Sequence, residues 1–420
     1  MNQLHEAAVR GNERMVLAQL AKGLNIDQVT PNGCTALLIA AGEGHLRVVR
    51  TLLNKGAGVS VPADNGGTAL HAASQQGHLA VAFELVKADA KLEQKDSHGH
   101  TPLAVAAAGG RWGLMKMLIE AGANPDSRAA DGLTPLYSAA WHGHVDAIKV
   151  LLRAKADPLL QRTHPTSGRT SLPLDAAVLN GHLKAVTELV QHLGIKRCGG
   201  ASCGVLALEL AAGDNQADIM RVLMDAGVVD AGMALVVAAE FCHEACVKLL
   251  LDRHAARTRR GSGYVNHHGE TGRTALFNAI VSERPSPRIV RLLVDAGADA
   301  ASPVRVLDTG GSTNHTPMEL ATIGILHRDQ ESGGRDAEER RHRLEAIRRL
   351  LQRLQAVHAR SWLWAGDAGA GASTAAGEGA AGGTKTPSAP LGTMLLVLRR
   401  RSRRSGVVLA PLFRYSRKRR

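Results

Sequence analysis

Apolar and polar positions recur along the first part of the chain with a long, fixed period. Leucine occurs every 33 residues, at Leu4, Leu37, Leu70, Leu103 and Leu136. Each of these marker leucines begins an alanine-rich apolar run that ends at a glycine. A second apolar run with helical spacing follows, as in residues 46–53. A period of this length is typical of stacked repeats, in which no repeat buries its apolar face alone.

The residues between the apolar runs indicate where helices begin and end. Thr101-Pro102 and Thr134-Pro135 have the composition of helix starts, since threonine caps free amides and proline fits the first helical position. A glycine stands seven residues after each marker leucine, where it suits the left-handed residue that ends a short helix. The second run ends at a glycine such as Gly56 or Gly122. The pattern predicts helix, tight turn, helix and extended connector.

These motifs together resemble the ankyrin repeat. The resemblance rests on Thr-Pro-Leu, on Ala-Ala, on the closing Gly-Ala-Asp or Gly-Ala-Asn, and on Gly-His at 44–45, 77–78, 143–144 and 181–182. It covers roughly residues 1–354. It implies an all-α fold, an ankyrin-type α-solenoid of helix–turn–helix repeats joined by β-turn fingers. We call the β-turn ahead of each first helix its finger.

The register predicts about ten repeats. Their marker residues are Leu4, Leu37, Leu70, Leu103, Leu136, Leu174, Leu208, Leu235, Leu276 and Met318. Residues 1–158 form about five regular repeats, and residues 159–354 form degenerate repeats with loop inserts near 257–273 and 327–342. Asn215 and Cys242 take the helix-ending glycine position, and the repeat at Leu235 has no room for a finger. The last helix is expected to resume at Leu344.

The C-terminal part of the chain has a different composition. Residues 355–364, with Trp362 and Trp364, are interpreted as a capping segment, residues 365–390 as a Gly/Ala-rich linker, and residues 391–420 as a basic tail. We expect the linker and tail to be disordered. From residue 355 onward there are twelve Lys and Arg against two acidic residues, so ten of the thirteen net positive charges lie there. The repeats themselves are therefore not a basic nucleic-acid platform.

The basic tail is a candidate localisation signal with several open interpretations. Nuclear import, contact with nucleic acid or anionic membrane, a solvated tail without a role, and mispredicted coding sequence all fit its composition. No apolar run is long enough for a transmembrane segment. Residues 2–6 have neither the basic region nor the apolar core of a signal peptide, which favours an intracellular protein, cytoplasmic or nuclear. The candidate signal residues are Arg399, Arg400, Arg401, Arg403, Arg404, Arg417, Lys418, Arg419 and Arg420.

The sequence predicts no cofactor, metal site or catalytic centre. Five cysteines, an odd number, argue against a disulfide framework. A zinc site made by Cys198, Cys203, Cys242 and Cys246 is the alternative, but Cys246 takes the apolar slot of Val48. Motifs of hydrolases, phosphate-binding loops and zinc proteases are absent from the sequence. We therefore expect a protein that is not an enzyme.

The nineteen histidines do not change that expectation. The resemblance implies structural hydrogen bonds between repeats for the histidines after the marker leucines and in the Gly-His pairs. These are His5, His71, His45, His78, His144 and His182.

The resemblance also predicts a protein-binding surface. Ankyrin-like arrays bind partners with finger tips and with the exposed side of the first helices. Trp141 stands out there, since tryptophan is enriched in binding hot spots, although it could instead pack on Leu133 or Leu179. The predicted surface residues are Asn32, Glu43, Asn65, Gln75, Gln76, His98, His100, Leu133, Trp141, His142, Leu179 and Asn180.

These features favour a non-enzymatic scaffold or adaptor with a protein partner. The alternative is a nuclear or membrane-surface factor whose tail makes weak contact with nucleic acid or anionic lipid while the repeats recruit a partner. A ubiquitin-ligase adaptor is a weaker alternative that rests on fold analogy alone.

Overall fold

The computed structural model describes residues 3–163, 168–193, 204–228, 231–257, 264–269, 272–301, 304–308, 311–326 and 335–366. Within these ranges, twenty helices follow one another as ten pairs, in agreement with the predicted all-α repeat fold. Two compact units can be distinguished. The first contains the described residues up to Ala207 with Val222–Val228, and the second contains Leu208–Arg221 and the described residues between 231 and 366.

The first unit contains six helix pairs and one short hairpin. Its helices are α1 (Gln3–Val9), α2 (Glu13–Ala21), α3 (Ala36–Glu43), α4 (Leu46–Asn54), α5 (Ala69–Gln76), α6 (Leu79–Lys87), α7 (Pro102–Ala108), α8 (Trp112–Glu120), α9 (Pro135–His142), α10 (Val145–Arg153), α11 (Pro173–Leu179) and α12 (Leu183–Leu193). Strands β1 (Arg162–Thr163) and β2 (Thr170–Ser171) pair antiparallel ahead of α11.

Helices α13 (Val205–Gly213) and α14 (Ala217–Asp225) are divided between the units. The second unit continues with α15 (Gly232–Glu240), α16 (Glu244–Arg257), α17 (Ala275–Val281), α18 (Pro287–Asp295), α19 (Pro317–Leu326) and α20 (Arg335–Gly366). An antiparallel hairpin of β3 (Val304–Asp308) and β4 (Gly311–His315) precedes α19 and pairs Val304 with His315.

Both helices of a pair contribute to the core, and in the first unit the first helix is the more completely buried. In α3, the six residues Ala36–Ala41 are all buried, because α3 packs against α1, α4 and α5. The second helices are amphipathic and bury one face only, as α4 does with Val48, Val49 and Leu52. Small alanines on the first helices let the neighbouring helices approach closely, which leaves little room for large aromatic rings.

The predicted caps are present at both ends of the first helices. The Thr35 hydroxyl accepts a hydrogen bond from the amide of Leu38 at 3.2 Å, and the same bond joins Thr134 to Tyr137. The helix-ending glycines are left-handed, with φ of +78° at Gly44. Asn215 and Cys242, at the same position, have φ of +57° and +58°, which confirms their predicted register.

Each helix-ending glycine also makes room for a residue of the next repeat. The His45 Nε2 donates to the carbonyl of Val9, and the His144 Nε2 donates to the carbonyl of Ala108, each at 3.0 Å. A Cβ at Gly110 would lie 2.7 Å from His144 Nδ1. These glycine–histidine contacts confirm the predicted structural role of the Gly-His pairs. They couple neighbouring repeats at their tight turns.

Three features of the degenerate repeats correct or refine the sequence interpretation. The last helix begins at Arg335, inside the expected 327–342 insert, and runs to Gly366 through the segment interpreted as a separate cap. The reason is local: Glu339 with Arg343, and Arg341 with Glu345, form ion pairs spaced four residues apart that favour helix. The fingers ahead of α11 and α19 form the two hairpins.

We predict that Gly110→Ala destabilises the protein by about 2 kcal/mol or more. Alanine would have to adopt φ near +66° and would place its Cβ against the His144 ring. Urea unfolding of the full chain measures the loss. The control is Gly113→Ala in α8, where an added Cβ meets no atom within 4 Å. That variant should be unchanged or up to about 1 kcal/mol more stable. Equal effects of both substitutions would contradict the prediction.

Candidate protein-binding surface

The fingers ahead of α3, α5, α7 and α9 are each closed by a pair of backbone hydrogen bonds. In the finger ahead of α7, the Gly99 amide donates to the Asp96 carbonyl at 2.9 Å and the Asp96 amide donates to the His100 carbonyl at 3.0 Å. Gly66 and Gly132 make the corresponding bonds to Ala63 and Ala129. The glycine has positive φ in each case, so the two residues beside it form the tip of the finger.

Neighbouring fingers are also joined by backbone hydrogen bonds. The Ser97 amide donates to the Asn65 carbonyl at 2.8 Å, and the Thr163 amide of β1 donates to the Asp131 carbonyl at 3.0 Å. The Asp64 amide makes a longer bond to the Asn32 carbonyl, at 3.4 Å. The tips ahead of α3, α5 and α7 are therefore joined to one another, and the tip ahead of α9 is joined to β1.

The structure places all twelve predicted surface residues at finger tips or near the ends of first helices, and none of them is fully buried. Exposed side chains belong to Asn32, Glu43, Gln76, His98, Trp141, His142 and Asn180. Half-buried side chains belong to Asn65, Gln75, His100, Leu133 and Leu179. The first helices that carry them pack in succession from α3 to α11, so these residues share one side of the first unit. We call this set the finger surface.

Trp141 is held by a group of side chains around Tyr137. The two rings stack with centroids 6.4 Å apart, and Trp141 remains 37% exposed. The Tyr137 hydroxyl lies 3.0 Å from the Ser171 hydroxyl of β2. On the other side, the Arg162 guanidinium lies 5.3 Å from the Tyr137 ring and is paired with the Asp131 carboxylate at 2.8 Å.

Sequence reasoning missed Tyr137, Asp131 and Arg162 as parts of this arrangement. The spacing of Tyr137 and Trp141, four residues apart on a helix, was a usable signal for the stacked pair. Arg162 had no such signal, because only the pairing of β1 with β2 brings it over Tyr137. The structure stacks Trp141 on Tyr137, a neighbour that the sequence interpretation did not name.

The histidines that follow the marker leucines are structural. The His71 Nδ1 accepts from the Thr68 amide at 3.1 Å, which leaves its Nε2 to donate to the His100 carbonyl, also at 3.1 Å. The His5 Nε2 donates to the Gln28 carbonyl in the same way at 2.8 Å. Burial lowers the pKa of both imidazoles, as it does for His144, so the neutral form is favoured. These rings act as neutral donors between repeats.

Two acidic groups in the first unit have shifted pKa values. Burial alone would raise the pKa of Asp96, but the His100 side chain and the amides of His98 and His100 outweigh burial and lower it. Asp175, in the first turn of α11, is buried, and burial raises its pKa to about 6 despite one hydrogen bond from the Leu172 amide. The charged form of Asp96 is stabilised by groups of its own finger, whereas one hydrogen bond does not offset the burial of the Asp175 charge.

Two of the four cysteines considered as an alternative zinc site, Cys242 and Cys246, lie within the described residues. Both are packed in surroundings that favour the neutral thiol. Cys246 is fully buried, and burial raises the pKa of its thiol to about 11. Burial also raises the pKa of Cys242, whose Sγ lies 2.7 Å from the Arg284 carbonyl. Cys198, Cys203, the basic residues of the tail and the side chains of Trp362 and Trp364 lie outside the described residues.

Comparisons with known proteins identify the family of the chain. The family model described as "Ankyrin repeats (3 copies)" matches residues 4–96, 83–162 and 174–304, and the chain belongs to the ankyrin repeat family. It is similar to the crystal structure of the human ASB11 ankyrin repeat domain, with 27% identity and a TM-score of 0.46, over 54% of this chain and 98% of that one. No curated protein matches it.

Membership of this family indicates a general role. Ankyrin repeats generally mediate protein–protein interaction and are typically non-enzymatic. Among the helices described, none is long and apolar enough to cross a lipid bilayer.

We predict that Asp175→Asn stabilises the protein at pH 7 by about 1–3 kcal/mol. The pKa of Asp175 is higher in the folded chain than its ordinary value, so folding favours its protonated form. Its contribution to stability is therefore present below about pH 4 and is lost as pH rises through about 6. Asparagine removes the buried charge and keeps an oxygen for the Leu172 amide.

Urea unfolding at pH 4 and pH 7.5 tests this prediction. The gain from Asp175→Asn should be largest at pH 7.5 and should shrink toward pH 4. The control is Asp146→Asn, which removes an exposed carboxylate from the first turn of α10. A gain independent of pH, or an equal gain in the control, would count against the burial explanation.

Proposed function

We propose that this protein is a non-enzymatic scaffold or adaptor that binds a protein partner through the finger surface of its first unit. The observation that carries the proposal is Trp141, a large aromatic side chain that is both exposed and held in place. Tryptophan is enriched among the few residues that dominate binding energy. A side chain that is already ordered loses little conformational entropy when a partner covers it.

The composition of the finger surface supports protein recognition. Besides Trp141, it presents amides and imidazoles, such as Gln76, His98, His142 and Asn180, and little net charge. These groups donate and accept hydrogen bonds without the desolvation cost of full charges. An aromatic anchor surrounded by neutral polar groups has the organisation of a protein interface, with an apolar centre and a polar rim.

The rigidity of the surface supports the same function. The fingers are closed by backbone hydrogen bonds of their own. Tyr137 is held by the hydroxyl of Ser171 and the guanidinium of Arg162. Binding would therefore require little rearrangement of this side of the first unit. The histidines that could suggest catalysis are used between repeats, which supports the assignment of the protein as non-enzymatic.

We predict that Trp141→Ala weakens partner binding by about 2 kcal/mol or more, which is roughly 30-fold, without unfolding the first unit. Proximity labelling with the full chain in its native cells would identify a partner. Calorimetry or surface plasmon resonance with the purified pair would then give the affinity.

The matched control is Trp112→Ala. Trp112 is the same residue type, is more exposed at 53%, and lies on α8, a second helix of a repeat. Its truncation should change the affinity less than about twofold. If Trp112→Ala weakens binding and Trp141→Ala does not, the partner uses the second helices and the finger-surface proposal is wrong.

A further inference from the structure

The finger ahead of α7 differs from the other fingers in the donors that it brings together. Asp96, His98 and His100 each offer one ligand atom, and these three atoms lie within 4.8 Å of one another. The two imidazole rings are nearly parallel, with centroids 5.8 Å apart. The Asp96 Oδ2 and the His100 Nδ1 are separated by 3.5 Å. That separation is close to the distance between two ligands of a tetrahedral zinc ion, about 3.4 Å for bonds of about 2.1 Å.

The Asp96 carboxylate uses only one of its oxygens to build the finger. Its Oδ1 accepts from the amides of His98 and His100 at 2.9 and 2.8 Å. Its Oδ2 is buried and faces only the His100 Nδ1, at 3.5 Å, which is longer than an ordinary hydrogen bond. A buried carboxylate oxygen without a hydrogen bond is costly, and a cation would compensate for it.

The turn itself does not require a carboxylate at this position. Thr30, Ala63 and Ala129 occupy the equivalent position in three other fingers and form the same closing backbone bonds. In two of those fingers, the side chains of Asn65 and Asp131 accept a hydrogen bond from the amide that corresponds to the His100 amide. In those fingers the role leaves no carboxylate oxygen unpaired, since the second oxygen of Asp131 is bound by Arg162.

The backbone that carries the three donors is held in place before any ligand binds. The His100 carbonyl accepts from the Asp96 amide and from the His71 Nε2, at 3.0 and 3.1 Å. The Ser97 amide is bound to the neighbouring finger through the Asn65 carbonyl. Only the exposed His98 side chain has to rotate to bring its nitrogen closer to the others. A preorganised donor set of this kind favours metal affinity.

A second His-Gly-His segment in the same unit provides a contrast. The rings of His142 and His144 also stack, with centroids 5.8 Å apart. However, the His142 Nδ1 donates to the Ser138 carbonyl, and the His144 Nε2 donates to the Ala108 carbonyl. Within the described residues, no carboxylate joins this pair to make a three-ligand group. The spacing of the two histidines alone therefore does not make the site.

We propose that Asp96, His98 and His100 bind a divalent transition-metal ion of the zinc class at the tip of this finger. Two imidazole nitrogens and one carboxylate oxygen are a common zinc donor set and leave a fourth position open. A water molecule or a side chain of a bound protein would complete the tetrahedron. The ion would connect the finger tip to its buried carboxylate and would place a positive charge on the finger surface. The site stands independently of the partner-binding proposal.

Zinc titration of the metal-free full chain tests the proposal. We expect one saturable site by calorimetry, with affinity confirmed by competition against a chromophoric zinc chelator. His98→Ala and Asp96→Asn should each weaken binding by more than about 10-fold, because loss of even an outer partner of a metal ligand has effects of that size. Asp96→Asn retains an oxygen for the two finger amides, and His98 is exposed, so both variants should keep the wild-type circular dichroism spectrum.

The control is His142→Ala, which removes a histidine from the other His-Gly-His segment and should leave zinc affinity unchanged. Cobalt(II) in place of zinc distinguishes the donors, because thiolate ligands give intense near-ultraviolet bands and a nitrogen–oxygen site does not. The absence of a saturable site in the wild type would overturn the proposal. Unchanged affinity in Asp96→Asn and His98→Ala, or thiolate bands that account for the bound cobalt, would overturn it as well.

Discussion

The stability of this fold depends on contact between successive repeats, because most of its helices are too short to be stable alone. Helices such as α1, α3 and α5 contain only seven or eight residues, and isolated helices shorter than about 12 residues are marginal in water. Stacking supplies the missing energy: the buried alanines and leucines of α3 contact α1 on one side and α5 on the other. The tight turns add a specific constraint, since the glycine of one repeat receives the histidine of the next. Arg111 makes the same approach to Gly77 where histidine is absent.

This constraint also explains where side chains are free to serve binding. The inner positions of the first helices are occupied by packing, and the histidines of the Gly-His pairs are occupied by carbonyls of the preceding repeat. The finger tips and the ends of the first helices remain, and they vary in sequence while their backbone stays the same. Asn32, Asn65, His98 and Asp131 occupy equivalent finger positions but offer different chemistry. A constant frame with variable tips is how a repeat fold produces a specific surface.

The regular repeats were predictable because they encode their structure locally and repeatedly. The marker leucine lies at the second position of each first helix from α1 to α11, and the threonine caps and left-handed glycines occur where the register places them. Asn215 and Cys242 show that the register survives even where glycine is replaced. The start of α20 was misplaced, because a run of arginine and glutamate has the composition of a solvated loop and also the spacing of a helix with ion pairs. The pattern alone did not distinguish the two.

The sequence alone determined the fold class and the repeat register, and it predicted the structural histidines and the residues that face outward, since each depends on positions within one repeat or its neighbour. Only the tertiary structure decided how those outward residues combine. Arg162 reaches Tyr137 through a hairpin, so the ordering of Trp141 depends on contacts across about 30 residues. The sequence also gave no sign that Asp96 Oδ2 is buried without a hydrogen bond, because that burial results from the folded conformation of the finger. The order of Trp141 and the unpaired oxygen of Asp96 both depend on distances between side chains. A repeating sequence pattern shows which side chains share one side of the molecule, but it does not show how far apart they lie.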